Sequence, residues 1–170
     1  MFAIRIPWFA KVISTFAVLL AGCSVAQPSD YNAGNTTGIN HTEYSISDFK
    51  INGAGGSIGG YTCCVMIPKK WTPELKAYIS WKTIDTKGLP PPPNFNKVDD
   101  FNKWEQHVKD RTQYHEAIVP IAQYDKSCGL QVHFLPCNKV KVVSSCFTYG
   151  MPEYPIQAPK NMKEPAVCPK

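Results

Sequence analysis

The residues of this chain best suited to chemistry are its seven cysteines and four histidines. Beyond Cys23, the cysteines stand at 63, 64, 128, 137, 146 and 168, and such thiols can hold a metal, attack a substrate or pair with one another. A zinc site needs cysteines and histidines at short, repeated spacings. His41, His107, His115 and His133 show none with the cysteines, so neither a metal nor a cofactor is expected. His133 could form a dyad with Ser144 or Ser145 on a neighbouring strand, but cross-strand polar pairs of this kind are ordinary. The string Gly55-Gly56-Ser57-Ile58-Gly59 leads into a strand and not a helix, so it makes no Gly-x-Ser-x-Gly elbow, and the chain has no His-Glu-x-x-His pair. Asp99 and Asp100 are better explained as the start of a helix than as paired catalytic carboxylates. The run Gly53 to Gly60 lacks the Gly-Lys-Ser/Thr ending of a phosphate loop and leads into a strand, so it reads as a mobile hairpin loop. These residue types point to a binder and not to an enzyme.

Which thiol chemistry applies depends on the compartment, and the first 22 residues address that. They combine a positive start, Arg5 and Lys11, with an apolar run from Val12 to Leu20 and the small residues Ala21 and Gly22, the three zones of a secretory signal. The apolar run is about ten residues, half of the roughly 20 that a spanning helix needs. The string Leu20, Ala21, Gly22, Cys23 resembles the lipobox of bacterial lipoproteins at all four positions. That resemblance implies cleavage before Cys23 and acylation of its sulfur and new amine. Each buried methylene contributes about 0.8 kcal/mol, and two chains suffice for stable anchoring. Ser24 in place of Asp implies sorting to the outer membrane, with the domain on its periplasmic face.

In that oxidising compartment the remaining six cysteines are expected to form disulfides. Cys128 and Cys137 flank an apparent strand, and nine extended residues cover about 30 Å, against the roughly 7 Å between Cα atoms that a disulfide allows. Those two should not pair. A three-residue turn at Pro136 to Asn138 instead puts Cys146 directly opposite Cys128, the preferred bridge. Cys63 and Cys64 are adjacent on a strand and should face opposite ways. One could bridge to Cys168 and tie down the proline-rich tail; equally, one could be a buried free thiol.

Removal of the signal leaves residues 23–170, enough for one domain with a real core. Two of the 18 basic residues lie in the signal, so against 13 acidic residues the mature surplus is about three. Arg111 is then the sole arginine. Phosphate and base-edge recognition favours the forked guanidinium, so nucleic-acid binding is not expected.

Residues 23–40 are small and polar with no hydrophobic period, and read as a flexible tether. Residues 41–170 read as a single domain. Period-two segments recur through it: Tyr44, Ile46, then Phe49, Ile51; Tyr61, Cys63, Val65, Ile67; Leu75, Ala77, Ile79, Trp81; and then Ala117 to Tyr124, Leu130 to Leu135 and Lys139 to Phe147. Short strands with mostly short connections predict a mainly β fold, a compact antiparallel sandwich or small barrel stapled by disulfides. One helix is predicted from Asp99 to about Tyr114, capped by Asp99 or Asp100, with Phe101, Trp104 and Val108 packed over a sheet. Pro90 to Pro93 reads as a stiff polyproline spacer.

Several motifs in order, Asn52 to Gly56, Cys63 and Cys64, Pro68 to Pro73 with Leu75 and Trp81, and Val132 to Pro136, resemble a family of small bacterial lipoproteins that carry a domain of unknown function. The similarity runs from about His41 to Pro155. One departure is Cys137-Asn138, where the family would lead one to expect an Asp-Gly type of turn. Members often occur beside type VI secretion effectors of the phospholipase class. The resemblance therefore implies an immunity protein that binds and inhibits such an effector. The contact loops would be Gly55, Gly56, Ser57 and Ile58; Lys69, Lys70 and Trp71; and the stretch from Tyr149 to Tyr154. For Trp71 a place tucked against the sheet edge is an equal expectation. The alternative function is that of a structural or housekeeping envelope lipoprotein in a secretion or assembly complex. Inhibition of lysozyme is disfavoured, because both proteins would be basic.

Overall fold

A computed structural model describes residues 30–169. The expected signal and lipobox, Cys23 and the first part of the expected tether lie outside the described residues. Eight strands and one helix follow in order: β1 (Tyr31–Asn40), β2 (Ser45–Ile51), β3 (Ala54–Gly55), β4 (Thr62–Pro68), β5 (Lys76–Ile84), α1 (Val98–Asp110), β6 (Thr112–Pro120), β7 (Leu130–Leu135) and β8 (Lys139–Val143). They form two four-stranded sheets, ordered β4-β1-β7-β8 and β3-β2-β5-β6, so the fold is mainly β and is not a closed barrel.

Alternation decides which side chains enter the core. In β5, Ala77, Ile79, Trp81 and Thr83 are buried while Lys76 and Tyr78 face out. In β2 the apolar positions change parity from Ile46 to Phe49 and Ile51. The pairing with β5 shifts between Ser47 and Lys50, where Asp48 adopts φ 49°, and this bulge turns Phe49 inward. Phe134 of β7 meets the Phe49 ring at 5.3 Å and the Trp81 ring at 5.7 Å, joining the two sheets. Aromatic contacts of this kind add about 0.5–1.5 kcal/mol to the area buried.

The expected tether is corrected here. Residues 31–40 form β1, which pairs antiparallel with β4 and parallel with β7 near the middle of its sheet. Its small residues are required by close approach and do not mark a linker. A Cβ at Gly34 would meet the Gly129 backbone and Ile67, and one at Gly38 would meet Ile58 and the Phe49 ring.

The helix is also shallower and shorter than expected. It ends at Asp110 because Thr112–Pro120 pairs along its whole length with β5. The N-cap is Lys97, without a side-chain bond, and Asp99 and Asp100 lie in the first turn. Phe101, Trp104 and Val108 share one side of the helix, yet none is buried. Trp104 donates its indole N–H to the Pro90 carbonyl at 2.9 Å, and Phe101 touches Phe95 and Trp104, so the helix packs on the polyproline segment instead of covering a sheet.

Among the described residues there are three disulfides. Cys128 pairs with Cys146, their Cα atoms 5.0 Å apart, and the reason is the register: Leu135 faces Lys139 across a three-residue turn and Gln131 faces Val143. Cys168 pairs with Cys137, Cα atoms 5.5 Å apart, and not with Cys63 or Cys64. Cys137 and Asn138 both take positive φ at the hairpin tip, and the Cys137 N–H donates to Glu164 at 2.7 Å, so the turn carries the bridge to the tail. Cys63 and Cys64 pair with each other on an exposed stretch of β4 where the register with β1 shifts between Gly34 and Asn35. They neither reach the tail nor leave a buried thiol.

Candidate functional site

Strand β7 is buried on both faces, which an outermost layer of a two-sheet sandwich would not be. Leu130, Val132 and Phe134 enter the core, so Gln131 and His133 must face the other way. That side is covered by a strap, residues 144–168, held to the hairpin by Cys128–Cys146 at one end of β7 and by Cys137–Cys168 at the other. Gln131 fastens the near end, its amide donating to the Ser145 carbonyl at 3.2 Å and its carbonyl accepting from the Ser145 N–H at 2.9 Å. Farther along, the Met162 N–H donates to the His41 carbonyl at 2.7 Å.

Under the strap lies a chain of polar groups. His41 follows β1 and continues its pairing with β7 by donating its N–H to the Phe134 carbonyl at 2.9 Å. Its ring Nδ1 lies 2.9 Å from the Pro159 carbonyl, its Nε2 lies 2.7 Å from His133 Nδ1, and His133 Nε2 lies 2.7 Å from the Tyr154 hydroxyl. The carbonyl can only accept, so His41 carries its proton on Nδ1. His133 then donates from Nδ1 and accepts at Nε2 from Tyr154. Every polar atom is bonded with both rings neutral. Burial, then the nearby His41 and Lys141, pulls His133 down to about 3. Burial, then Tyr61 and Tyr149, raises the Tyr154 phenol. Ser144 and Ser145 are not partners of His133: the Ser144 hydroxyl accepts from the Cys128 N–H at 3.1 Å, and the residue facing His133 on β8 is Lys141.

Beside this chain the strap and the glycine-rich loop enclose a cleft of about 390 Å³. Thr37, Ile39 and Gln131 form its floor, and Ile58, Tyr61, Phe147 and Tyr149 form its walls. Tyr61 is 66% exposed and Phe147 45% exposed, so the rims are apolar and reachable. Lys160 is the one charged residue lining the cleft, its amine 5.7 Å from the centre of the Tyr149 ring. Tyr149 is in turn fixed by donating its hydroxyl to the Ala158 carbonyl at 2.6 Å. A roomier depression of about 610 Å³ is lined by Asp48, Lys50, Lys82 and Glu116, where acidic groups accompany the lysines and Lys82 is bonded to Asp48. The aromatic cleft is the better binding candidate, since it joins apolar walls to a cation without a carboxylate partner among the described residues.

The expected contact residues divide between three places. Ile58, Tyr149 and Tyr154 come together at the cleft, although Tyr154 is buried as part of the histidine chain. Gly55, Gly56 and Ser57 belong to the structural frame. Thr36 donates its hydroxyl to the Gly55 carbonyl at 3.0 Å, a Cβ at Gly56 would run into the Phe49 ring, and the Gly38 N–H donates to the Ser57 carbonyl at 2.8 Å. The loop is therefore pinned by backbone bonds and is not a free hairpin. Lys69, Lys70 and Trp71 lie elsewhere, Trp71 packing on the core and donating its indole N–H to the Ile121 carbonyl at 2.9 Å. Of the two expectations for Trp71, this is the tucked one. Sequence reasoning missed His41, Tyr61, Phe147 and Lys160. The available signal was the parity of β7, which sends His133 away from the core and so demands a cover.

Residues 39–142 match the sequence profile of a family described as protein of unknown function (DUF3304). The matched span holds both histidines, the Cys63–Cys64 pair and the glycine-rich loop, and it stops short of the strap and of Pro155. No curated protein and no solved structure matches the chain. With well over half of its length covered, the chain belongs to this family of proteins of unknown function.

Proposed function

We propose that this chain is a lipid-anchored, periplasm-facing immunity protein that binds a phospholipase effector of type VI secretion and blocks it, with the aromatic cleft as its recognition surface. The observation that carries the reading is the cleft itself. Tyr61, Phe147 and Ile58 stand exposed around one concavity on a frame fixed by two disulfides and a saturated hydrogen-bond chain. Exposed aromatics on a rigid support lose little entropy on binding, which is why such residues dominate interface energetics.

The lipobox and the family resemblance supply the setting. With β1 beginning at Tyr31, only residues 24–30 separate Cys23 from the folded domain, and seven residues extend about 25 Å at most. The cleft lies on the far half of β1, around Thr37 and Ile39, at a distance from the end that follows the proposed anchor. A partner approaching lipid would meet it there. Inhibition then needs no chemistry from this chain, only occlusion of the effector's access to the bilayer.

The test is to mix the full chain, purified in detergent, with the phospholipase encoded beside its gene and to follow complex formation and lipid hydrolysis. Stoichiometric inhibition is expected. Tyr61→Ala with Phe147→Ala should weaken the complex by about 30-fold or more while leaving the melting curve in place. Absence of both complex and inhibition would end the immunity reading and favour a housekeeping envelope role.

A further inference from the structure

Independently of the cleft, the two sheets present four edges, and three are closed to another strand. β3 has only two residues. β4 is broken by the bulge at Cys63–Cys64, where its register with β1 shifts. β8 has five residues, and its Val142 already receives the Ala122 N–H at 3.0 Å and bridges to Ile121. Short strands, bulges and covering segments are the usual means of blunting an edge.

The fourth edge, β6, is long and free of bulges, and β8 approaches it only at its Pro120 end. All nine residues pair with β5 on one side, and on the other the backbone groups of residues 112–119 have no further backbone partner among the described residues. α1 comes near only one end, where Glu105, Val108 and Lys109 flank a depression with Thr112 and Tyr114. On the outward face Tyr114 is 75% exposed and Ile118 69% exposed, with Lys82 of β5 opposite Tyr114, its amine 5.1 Å from the ring centre, and Tyr78 opposite Ile118. Between Tyr114 and Ile118 sits Glu116, whose carboxylate raises the pKa of the nearby Tyr78 phenol and has no cationic partner among the described residues.

That single carboxylate decides the occupant. Two copies pairing antiparallel along the full strand would set Tyr114 of each opposite Ile118 of the other, but Glu116 directly opposite Glu116. Like charges in that position oppose pairing, whereas a basic residue there favours it. We infer that β6 is a docking edge for an extended segment of a partner protein, apolar at alternate positions and carrying a lysine or arginine opposite Glu116. Main-chain bonds would supply the affinity and Glu116 the register.

The test uses the full chain in detergent and a nine-residue peptide with valine or threonine at alternate positions and lysine at its centre. Binding is expected to shift the backbone amide resonances of Thr112–Val119. A twin with central glutamate should bind about five- to tenfold more weakly, Glu116→Lys should reverse that order, and N-methylation of alternate peptide amides should abolish binding. No binding by the lysine peptide, equal affinity for the two twins, or shifts confined to another strand would overturn the assignment. So would a dimer of the chain that Glu116→Gln tightens, since the edge would then belong to a second copy.

Discussion

His41 Nε2 and His133 Nδ1 lie 2.7 Å apart with both rings fully buried, and the Pro159 carbonyl at the end of the chain fixes the tautomer of each. The pair joins three distant parts of the sequence: the residue after β1, the middle of β7 and the strap. It also couples the fold to pH. His133 is held down at about 3 in the folded chain, against the ordinary 6.5 that applies when unfolded. Between those values the unfolded chain binds the extra proton. Stability from this group is therefore complete above about pH 6.5 and falls as pH drops toward 3, by up to about 1.4 kcal/mol per unit. Urea unfolding at pH 7, 5.5 and 4 should show that decline, and His133→Gln should flatten it. An unchanged slope in the variant would assign the acid sensitivity to other groups.

Tyr154 is the proton donor that saturates His133 Nε2. Tyr154→Phe keeps the ring and deletes only the hydroxyl, leaving a buried acceptor without a partner. The expected cost is about 1–3 kcal/mol in chemical denaturation, with the circular dichroism spectrum unchanged.

The two disulfides that hold the strap close loops of 18 and 31 residues. By loop entropy each is worth about 3–4 kcal/mol. Replacing Cys137 and Cys168 together by serine should cost about that much and should speed amide exchange in the strap before the sheets. Equal exchange throughout would mean that the strap is held by its hydrogen bonds alone.

Packing separates the two ring clusters. Phe134→Ala removes a fully buried ring from between the sheets and should cost about 3–5 kcal/mol. Trp104→Ala, on a helix with no buried residue, should cost no more than about 1–2 kcal/mol. A thermal melt of the two variants beside the parent decides the order.

Much of the sandwich could be read from side-chain parity. The alternation of β5, the inward positions of β7 and the turn register that sets Cys146 against Cys128 all follow from a period of two. β1 could not be read that way. It is inlaid between two strands, and close neighbours demand glycine, the Gly129 backbone and Ile67 at Gly34 and the Phe49 and Phe134 rings at Gly38, so its composition imitates a linker. The position of the helix was legible from Phe101, Trp104 and Val108, but spacing cannot say whether an apolar side meets a sheet or a proline run. The cleft was only half visible. Ile58 lies in a loop that looks exposed, whereas Phe147, Tyr149 and Lys160 reach the site through a strap whose path depends on Cys137–Cys168, a pairing that spacing does not disclose.

The placement of β1 has a mechanical consequence. Any tension in the chain ahead of Tyr31 enters the domain along the axis of this strand, which is gripped by β4 over its first half and by β7 over its second. Load applied in that direction shears all the rungs of both ladders together instead of peeling them one at a time. A domain built so resists a tug at its leading end far better than one hung from an edge strand, and the lining of the cleft, carried on the same strand, keeps its shape under that load.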